Sequence, residues 1–301
     1  MIEITREIKV LLGDNKGKFP FSNSLFIDDE ARVLVDTGCG SGPEAKRAVQ
    51  GLDAVIFSHY HLDHTRGAAS LERPLYCHPG DIPPLEDRET LLHYTSFGEL
   101  GEAGARQILE FLQYRPLRVT GSFSDGEELD FGRTRWRVIH TPGHSPGHCC
   151  FFEEKEGVLF SADIDLDPFG PWYGHNSCEL DAFEASIKKL MALKPRLIIS
   201  GHSPPLKEGG VPALAKYLMK ITKREEMILN YLENPASLDE VTDRRFIYGR
   251  HPEPVFLYRH FEKKMIQKHL DRFFTRGEVQ VEGDRYRRVK KRQKFFYRGK
   301  D

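Results

Sequence analysis

The amino-acid sequence predicts an α/β protein in which a layered domain over residues 1–212 is followed by a small helical domain over residues 213–301. Three observations support this prediction. Short apolar runs alternate with helical patterns in the first part of the chain. The length of 301 residues suits one large domain with a smaller companion. The charge also changes sign, since residues 220–301 hold 21 Lys and Arg against 13 Asp and Glu, whereas residues 1–219 hold 23 against 32.

The first domain is expected to consist of short strands and two helical regions. Its strands are predicted from apolar runs bounded by turn residues. In chain order these runs are IEITREIKVLL, SNSLFIDDE, ARVLVDTG, DAVIFSH, ELDFGRTRWRVIHTPGHS, HCCFFEE, GVLFSAD and PRLIISGH. The run DAVIFSH is almost continuous in apolar residues, as in a buried strand, and it stops at a histidine-rich segment. The helical regions are a polar insertion from DIPPLEDRET to EFLQYRP and the stretch CELDAFEASIKKLMAL.

The composition argues against membrane and disulfide-rich classes. No run of eighteen apolar residues occurs, and the charged stretch MIEITREIKVLLGDNKG is expected to be a first strand rather than a signal peptide. Five irregularly spaced cysteines without a CxxC pair disfavour both a disulfide framework and a thiolate zinc site: Cys39, Cys77, Cys149, Cys150 and Cys178. The two in HCCFF are expected in the core. The expected location is therefore the cytoplasm.

The stretch SHYHLDHTRG at residues 58–67 holds three histidines and an aspartate within six positions. In an extended segment His59 and His61 point to the same side, because side chains alternate with a period of two. Asp63 and His64, at the start of the following helix, can turn back toward the same point. This spacing predicts a metal-binding motif.

Three further donors each follow a predicted strand. His144 comes after WRVIHTPG, Asp163 ends GVLFSAD and His202 ends RLIISGH. Strand ends are where α/β sheets usually assemble sites from distant parts of the chain. Seven nitrogen and oxygen donors exceed the three or four protein ligands of one zinc ion. Two metal ions that share a bridging carboxylate are therefore the simplest interpretation.

The HxHxDH motif at residues 59–64, followed by the three later donors, resembles the metallo-β-lactamase fold superfamily, especially its glyoxalase II-like and ribonuclease-like branches. The resemblance covers about residues 1–212, and the stretches LVDTG, TPGHSPGH, FSADI and SGHSPP stand in family order. It implies an αββα sandwich of two mixed sheets between helices, with the metals in a shallow groove along one edge.

The resemblance also implies a role for each donor. The ligands of the first metal would be His59, His61 and His144, and those of the second Asp63, His64 and His202. Asp163 would bridge the two ions. Asp36, in LVDTG, matches a family aspartate that orients ligands, and a turn-forming aspartate is the alternative.

These assignments predict a dinuclear metal hydrolase in which a metal-bridging hydroxide attacks an ester, thioester, lactone or phosphoester. Asp63 has a second expected role, because its carboxylate can accept a hydrogen bond from the hydroxide and aim it. Zinc is the expected metal, although His and Asp donors also suit iron or manganese. Related sites that hold one iron carry out oxygen chemistry, and the complete second set of donors argues against that alternative.

The loop DPFGPWYGH, which comes soon after Asp163, is rich in aromatic residues and proline. Its position predicts that it overhangs the metals. Phe169, Trp172 and Tyr173 would then form a substrate wall together with His175. Ordinary loop packing is the alternative.

The tail gives three helical patterns, then two short strands around an EG turn, within REEMILNYLENPASLDEVTDRRF and VFLYRHFEKKMIQKHLDRFFTRGEVQVEGDRYRRVKK. Helices followed by a hairpin resemble a winged-helix module, which also occurs in some ribonuclease-like members of the superfamily. The stretch RYRRVKKRQKFFYRGK interleaves cations with aromatic residues, as a nucleic-acid-binding surface would. A module that packs on the catalytic domain or on a second subunit is the alternative.

Two functions therefore remain open. The first is a hydrolase of a small-molecule substrate. The second is an endoribonuclease or phosphodiesterase whose carboxy-terminal module grips the strand of the nucleic acid. Salt dependence discriminates between them, because contacts to several phosphates weaken steeply with ionic strength. No membrane partner is expected, and a homo-oligomer remains open.

Overall fold

The computed structural model of the chain describes residues 1–289. They form two compact units, Met1–Ile221 and a second unit that starts at Thr222. The helix α7 (Gly210–Tyr231) runs from the first unit into the second. The boundary at residue 212 that the composition suggests stays a prediction.

The first unit contains a seven-stranded sheet whose spatial order is the chain order. Its first four strands pair antiparallel and the remaining pairs are parallel. The strands are β1 (Ile2–Glu3), β2 (Ile8–Leu11), β3 (Ser24–Asp28), β4 (Arg32–Val35), β5 (Ala54–Ile56), β6 (Leu75–Cys77) and β7 (Gly121–Ser122).

A second sheet of five strands has the order β12-β11-β10-β9-β8, in which only β11 and β12 pair in parallel. Its strands are β8 (Glu128–Asp130), β9 (Arg135–His140), β10 (Cys149–Glu153), β11 (Val158–Ala162) and β12 (Leu197–Ser200). Both sheets are therefore mixed, as the family resemblance implied.

The core lies between the two sheets. Alternate residues of each strand are buried there, because side chains of a strand point to opposite faces in turn. The first sheet contributes pairs such as Ile8 with Val10 and Val33 with Val35, and the second contributes pairs such as Trp136 with Val138 and Val158 with Phe160. The predicted α/β sandwich is confirmed.

The helices of this unit lie between strands along the chain. They are α1 (Pro43–Ala48), α2 (Leu62–Thr65), α3 (Ile82–Glu86), α4 (Arg88–Thr95), α5 (Gly101–Phe111), α6 (Leu180–Leu193) and the first part of α7. The helical insertion appears as α3 to α5, where the sequence predicted it. On α6, Phe183, Ile187 and Leu190 are fully buried along one face.

One local expectation was wrong, and two short strands were missed. The stretch Ile2–Leu11 forms two short strands, β1 and β2, because the intervening residues make a turn in which Ile4 and Thr5 bond to the carbonyl of Ile8. The strands β6 and β7 were not predicted, because three and two residues are too short for a periodic pattern.

The second unit contains the end of α7, then β13 (Ala236–Ser237), α8 (Leu238–Asp243), α9 (Val255–Thr275), β14 (Val279–Glu282) and β15 (Arg285–Arg288). The three strands form a small antiparallel sheet in the order β13-β15-β14. The three helical patterns and the hairpin at the EG turn lie where they were expected, and the winged-helix assignment stays a prediction. Most of RYRRVKKRQKFFYRGK falls in residues 290–301, outside the described residues.

Within residues 1–289, none of the helices has the length and apolar character needed to cross a membrane.

Candidate metal centre

The HxHxDH motif occupies the connection between β5 and α2. His59 and His61 lie in the irregular segment before the helix, and their ring centroids are 4.5 Å apart. Asp63 and His64 lie on α2 itself, and all four side chains are buried. The strand β5, which pairs in parallel with both of its neighbours, thus delivers four donors at its carboxyl end.

The three later donors come from the second sheet. His144 lies in the loop between β9 and β10, Asp163 directly follows β11 and His202 follows β12. A bulge interrupts the pairing of β11 with β12 between Phe160 and Ala162, and Ala162 has a φ of 45°. Such an irregularity turns the next side chain away from the strand's regular alternation, and that side chain is Asp163.

The structure brings all seven predicted donors together in two groups. The first group consists of His59, His61, His144 and Asp163, and the second of Asp63, His64 and His202. Within each group, one donor atom per residue lies within 4.8 Å of every other. Residues far apart in the sequence therefore meet at one place.

Asp163 lies between the groups, with one carboxylate oxygen toward each. Its Oδ2 is 3.0 Å from His144 Nε2 and 3.8 Å from His59 Nε2. Its Oδ1 is 2.7 Å from His64 Nε2 and 3.3 Å from His202 Nε2. A single carboxylate thus faces both groups at once.

Hydrogen bonds on the far side of three histidine rings fix which nitrogen faces the centre. The Nδ1 of His144 donates to the carbonyl of Trp172 at 2.9 Å, and the Nδ1 of His202 donates to the carbonyl of Gly17 at 2.6 Å. The Nδ1 of His64 donates to Asp36 at 2.7 Å. Because carbonyl and carboxylate oxygens only accept, each Nδ1 carries a proton, and Nε2 presents its lone pair whenever the ring is neutral.

The same reasoning extends to His59 through Ser58. The Ser58 hydroxyl donates to Asp36 at 2.7 Å, so it accepts from the Nδ1 of His59, 2.9 Å away. The Nε2 of His59 therefore also presents a lone pair. This buried nitrogen has no hydrogen-bond partner among the described residues.

Asp36 is fully buried just after β4, with a φ of 63°. Besides His64 and the Ser58 hydroxyl, its carboxylate accepts the backbone N–H of Ser58 at 2.8 Å. This contact with the ring of a candidate ligand is the one expected of an orienting aspartate.

Burial and charge shift the pKa values of four histidines of the site in opposite directions, two downward and two upward. Burial lowers the pKa of His59 and His61 well below the usual range, and neighbouring histidines lower it further. Burial also acts to lower the pKa of His64, but the Asp163 and Asp36 carboxylates outweigh it and raise that pKa well above normal. For His202 the same opposition, with Asp163 and Asp63 as the carboxylates, raises the pKa to about 10.

The donors suit divalent metal ions. Imidazole nitrogens and carboxylate oxygens are the ligands that zinc, iron and manganese accept in proteins. An unpaired buried nitrogen such as His59 Nε2 costs stability unless something binds it. Space is also reserved, because a Cβ on Gly201 would lie 2.8 Å from His64 Cε1 and 2.9 Å from Asp163 Oδ1. The residues of the site therefore fit bound metal.

Two residues outside the predicted set support Asp163. The Nε2 of His148 accepts the backbone N–H of Asp163 at 3.3 Å, and the Tyr217 hydroxyl donates to the Asp163 carbonyl at 3.2 Å. Both side chains are buried. Tyr217 carried no sequence signal, because α7 is distant from Asp163 along the chain and only the fold brings them together.

The predicted substrate loop lies partly beside the first group. The ring centroid of Trp172 is 5.9 Å from those of His61 and His144, and that of His175 is 4.8 Å from His61. Tyr173 is fully buried, so its ring packs inside the protein in this structure, while Phe169 is half-buried.

Comparison with known proteins agrees with this architecture. A family model described as Metallo-beta-lactamase superfamily matches residues 17–202. A metallo-beta-lactamase family protein from Thermus thermophilus superposes with a TM-score of 0.72 over 95% of this chain and 100% of that chain. At 22% sequence identity, this second likeness concerns the fold alone.

Two relatives carry hydrolase-like names. The "Lactamase-like protein ptaB" of Pestalotiopsis fici is 29% identical over 90% of this chain and 78% of its own length. The "Atrochrysone carboxyl ACP thioesterase" of Passalora fulva is 28% identical over 78% of this chain and 64% of its own length. This chain thus spans less than two thirds of that thioesterase. Because the family model matches more than half of the residues of this chain, the chain belongs to the metallo-beta-lactamase superfamily.

Proposed function

We propose that this chain hydrolyses a small ester-like substrate, a thioester in the first place, at a site for two divalent metal ions. One observation carries the proposal: the carboxylate of Asp163 faces two separate groups of donors with different oxygens. A site for a single ion would use only one of those two groups of donors as ligands.

In this proposal each group holds one ion. His59, His61 and His144 would bind the first, and Asp63, His64 and His202 the second, with Asp163 shared. Zinc is the proposed metal, and iron and manganese accept the same donors. When bound, a pair of such ions supplies a water acidic enough to ionise near neutral pH and an electrophile for a carbonyl oxygen.

In this proposal, side chains of the protein orient the metal ligands and take up a proton. Hydrogen bonds donated by Nδ1 hold His64, His144 and His202 in fixed orientations, so little reorganisation is needed during the reaction. The Oδ2 of Asp63 lies 3.4 Å from the Nε2 of His202, and the Asp63 side chain is only 9% exposed. Burial raises the pKa of Asp63, which suits a carboxylate that takes up a proton during turnover.

The substrate would enter on the side of the second group. In the second group the side chains of His202 and Asp63 are 16% and 9% exposed, whereas those of His59 and His144 in the first group are 0% and 1% exposed. Trp172, beside the first group, would line the site opposite this opening.

The choice of a thioester has a separate basis. A relative with a thioesterase name matches 78% of this chain, and an acyl thioester offers the carbonyl oxygen that such a site polarises. Lactones, oxygen esters and phosphoesters use the same chemistry and remain alternatives that experiment separates.

A substrate panel tests the proposal. The purified full chain, loaded with zinc or manganese, is offered an acyl thioester, a lactone, a phosphodiester and a short RNA, with the Asp63→Ala variant as the matched control. We expect thioester turnover that the variant loses. Turnover of RNA alone, falling steeply with salt, would instead establish the nuclease alternative.

The second unit offers that alternative little support. Several of its described cations pair with carboxylates of the same unit: Arg259 contacts Asp239 and Asp243, and Arg285 contacts Glu240. A phosphate-binding surface presents unmatched cations instead. The RNA arm of the panel remains the test.

A further inference from the structure

Asp81 is a buried carboxylate that belongs to neither donor group. It lies in the short turn between β6 and α3, and no part of it is exposed. A carboxylate is removed from water at a high cost unless several donors surround it. The groups that donate hydrogen bonds to Asp81 therefore indicate its role.

Three hydrogen bonds meet at this carboxylate. Its Oδ2 accepts the backbone N–H of Tyr60 at 3.0 Å and the hydroxyl of Ser145 at 2.5 Å. Its Oδ1 accepts the backbone N–H of Gly147 at 2.6 Å. All three are buried contacts between segments far apart in the sequence.

These segments carry the imidazoles of the first group. Tyr60 stands between His59 and His61, and Ser145 follows His144 directly. Asp81 is thus bonded to the chain within one residue of every histidine of that group.

The packing around Asp81 is tight. A Cβ on Gly147 would lie 2.7 Å from Asp81 Cγ, and a Cβ on Gly80 would lie 3.1 Å from the nitrogen of Gly147. The two backbones approach closely because both positions are glycine.

The second group has different supports. His64 is held by Asp36 and His202 by the carbonyl of Gly17, and neither bond involves Asp81. Removal of the Asp81 carboxylate therefore leaves these bonds in place.

We propose that Asp81 is a positioning residue that holds the His59–His61 segment against the His144 loop, and thereby sets the metal affinity of the first group and not of the second. With the carboxylate in place, the three imidazoles are preorganised at binding distance. Without it, the two segments move independently, and metal binding must order them. This proposal rests on the proposed metal site.

The test isolates each group in turn. The His202→Ala chain weakens the second group and the His61→Ala chain weakens the first. Asp81→Asn is added to both, and zinc affinity is measured on metal-depleted full chains by competition with a chelator. We expect a loss of about 10- to 100-fold in the His202→Ala chain, as for other residues that orient ligands. In the His61→Ala chain we expect a change smaller than about 3-fold.

Asp29 provides a matched control. Its Oδ2 accepts the backbone N–H groups of Arg133 and Thr134 and the Thr134 hydroxyl, at 3.0, 2.8 and 2.9 Å, in a turn that carries no donor of either group. Asp29→Asn removes a comparable set of bonds and should leave zinc affinity unchanged in both chains. If Asp81→Asn does not fold, Ser145→Ala removes one of the three bonds and should cost about 3- to 10-fold at the first group alone.

Several outcomes would overturn the proposal: an equal loss at both groups, no loss at either, or a loss in Asp29→Asn as large as in Asp81→Asn. Failure of the proposed metal site looks different, because the chain without any substitution then binds no zinc.

Discussion

The two donor groups share Asp163 but differ in charge and in access to solvent. The first group has three imidazoles, and burial holds the pKa of His59 and His61 low, so they are neutral at physiological pH. The second group contains the carboxylate of Asp63, and its most exposed member is His202.

This difference indicates separate roles for the two groups of the proposed site. The neutral, buried first group would bind a cation without proton loss and hold it in a fixed place. The charged second group, whose His202 is partly exposed, would meet the substrate and handle protons.

The largest expected effect comes from the residue that the groups share. Asp163→Asn removes the charge that faces both groups while keeping the side chain's size. We expect turnover to fall by at least about 10³-fold, the equivalent of several kcal/mol of transition-state stabilisation. Steady-state kinetics with the best substrate of the panel measures it. Retention of more than a tenth of the activity would show that Asp163 does not link the groups.

A substitution in the second group should be comparably severe for turnover. Asp63→Ala is expected to abolish detectable turnover while the fold persists, because the first group and its supports are untouched. Activity and circular dichroism, measured on the same sample, check both halves of this expectation. Full activity in the variant would reject the role of Asp63.

An indirect change should have an intermediate effect. Asp36→Asn weakens the acceptor that holds His64 and Ser58, so we expect zinc affinity at the second group to fall by about 10- to 100-fold. Competition with a chelator in the His61→Ala chain measures it. Since Ser58 also orients His59, a smaller loss of zinc affinity is expected at the first group. A loss confined to the first group would contradict the role of Asp36 as a support of the second group.

The smallest expected effect concerns a support of the first group's loop. His140 donates from Nε2 to the carbonyl of Pro146 at 2.8 Å, and the ring of His78 stacks on His140 with centroids 4.1 Å apart. Burial and the neighbouring His140 lower the pKa of His78 to about 4.

A histidine whose pKa is lower in the folded state than in the unfolded state stabilises the fold above the unfolded value of 6.5, and this stability is lost as pH falls toward 4. His78→Gln should therefore reduce the loss of stability between pH 6.5 and 4 by about 1 kcal/mol, a value discounted because His78 is only half-buried. Urea unfolding at several pH values measures it. An unchanged slope would show that His78 does not contribute.

Much of the fold followed from local patterns. Alternating and continuous apolar runs predicted β3, β4 and β9 to β12, because most residues of these strands are buried. The candidate donors were found because four of them share the short motif at residues 59–64 and the other three each follow a predicted strand.

Other features depend on contacts that no local pattern records. His148, Asp81 and Tyr217 act on segments distant in the sequence. The nitrogens that His144 and His202 present are set by the carbonyls of Trp172 and Gly17. The burial of Tyr173 is likewise a result of packing. The substrate wall predicted from the position and composition of its loop stays a prediction.

Metal stoichiometry tests the central claim most directly. The metal-depleted full chain is titrated with zinc, and the number of bound ions is determined by native mass spectrometry. The His61→Ala and His202→Ala variants are measured in parallel. Two ions per chain, with one lost in each variant, are predicted. A single ion per chain, retained when His202 is replaced, would contradict the account.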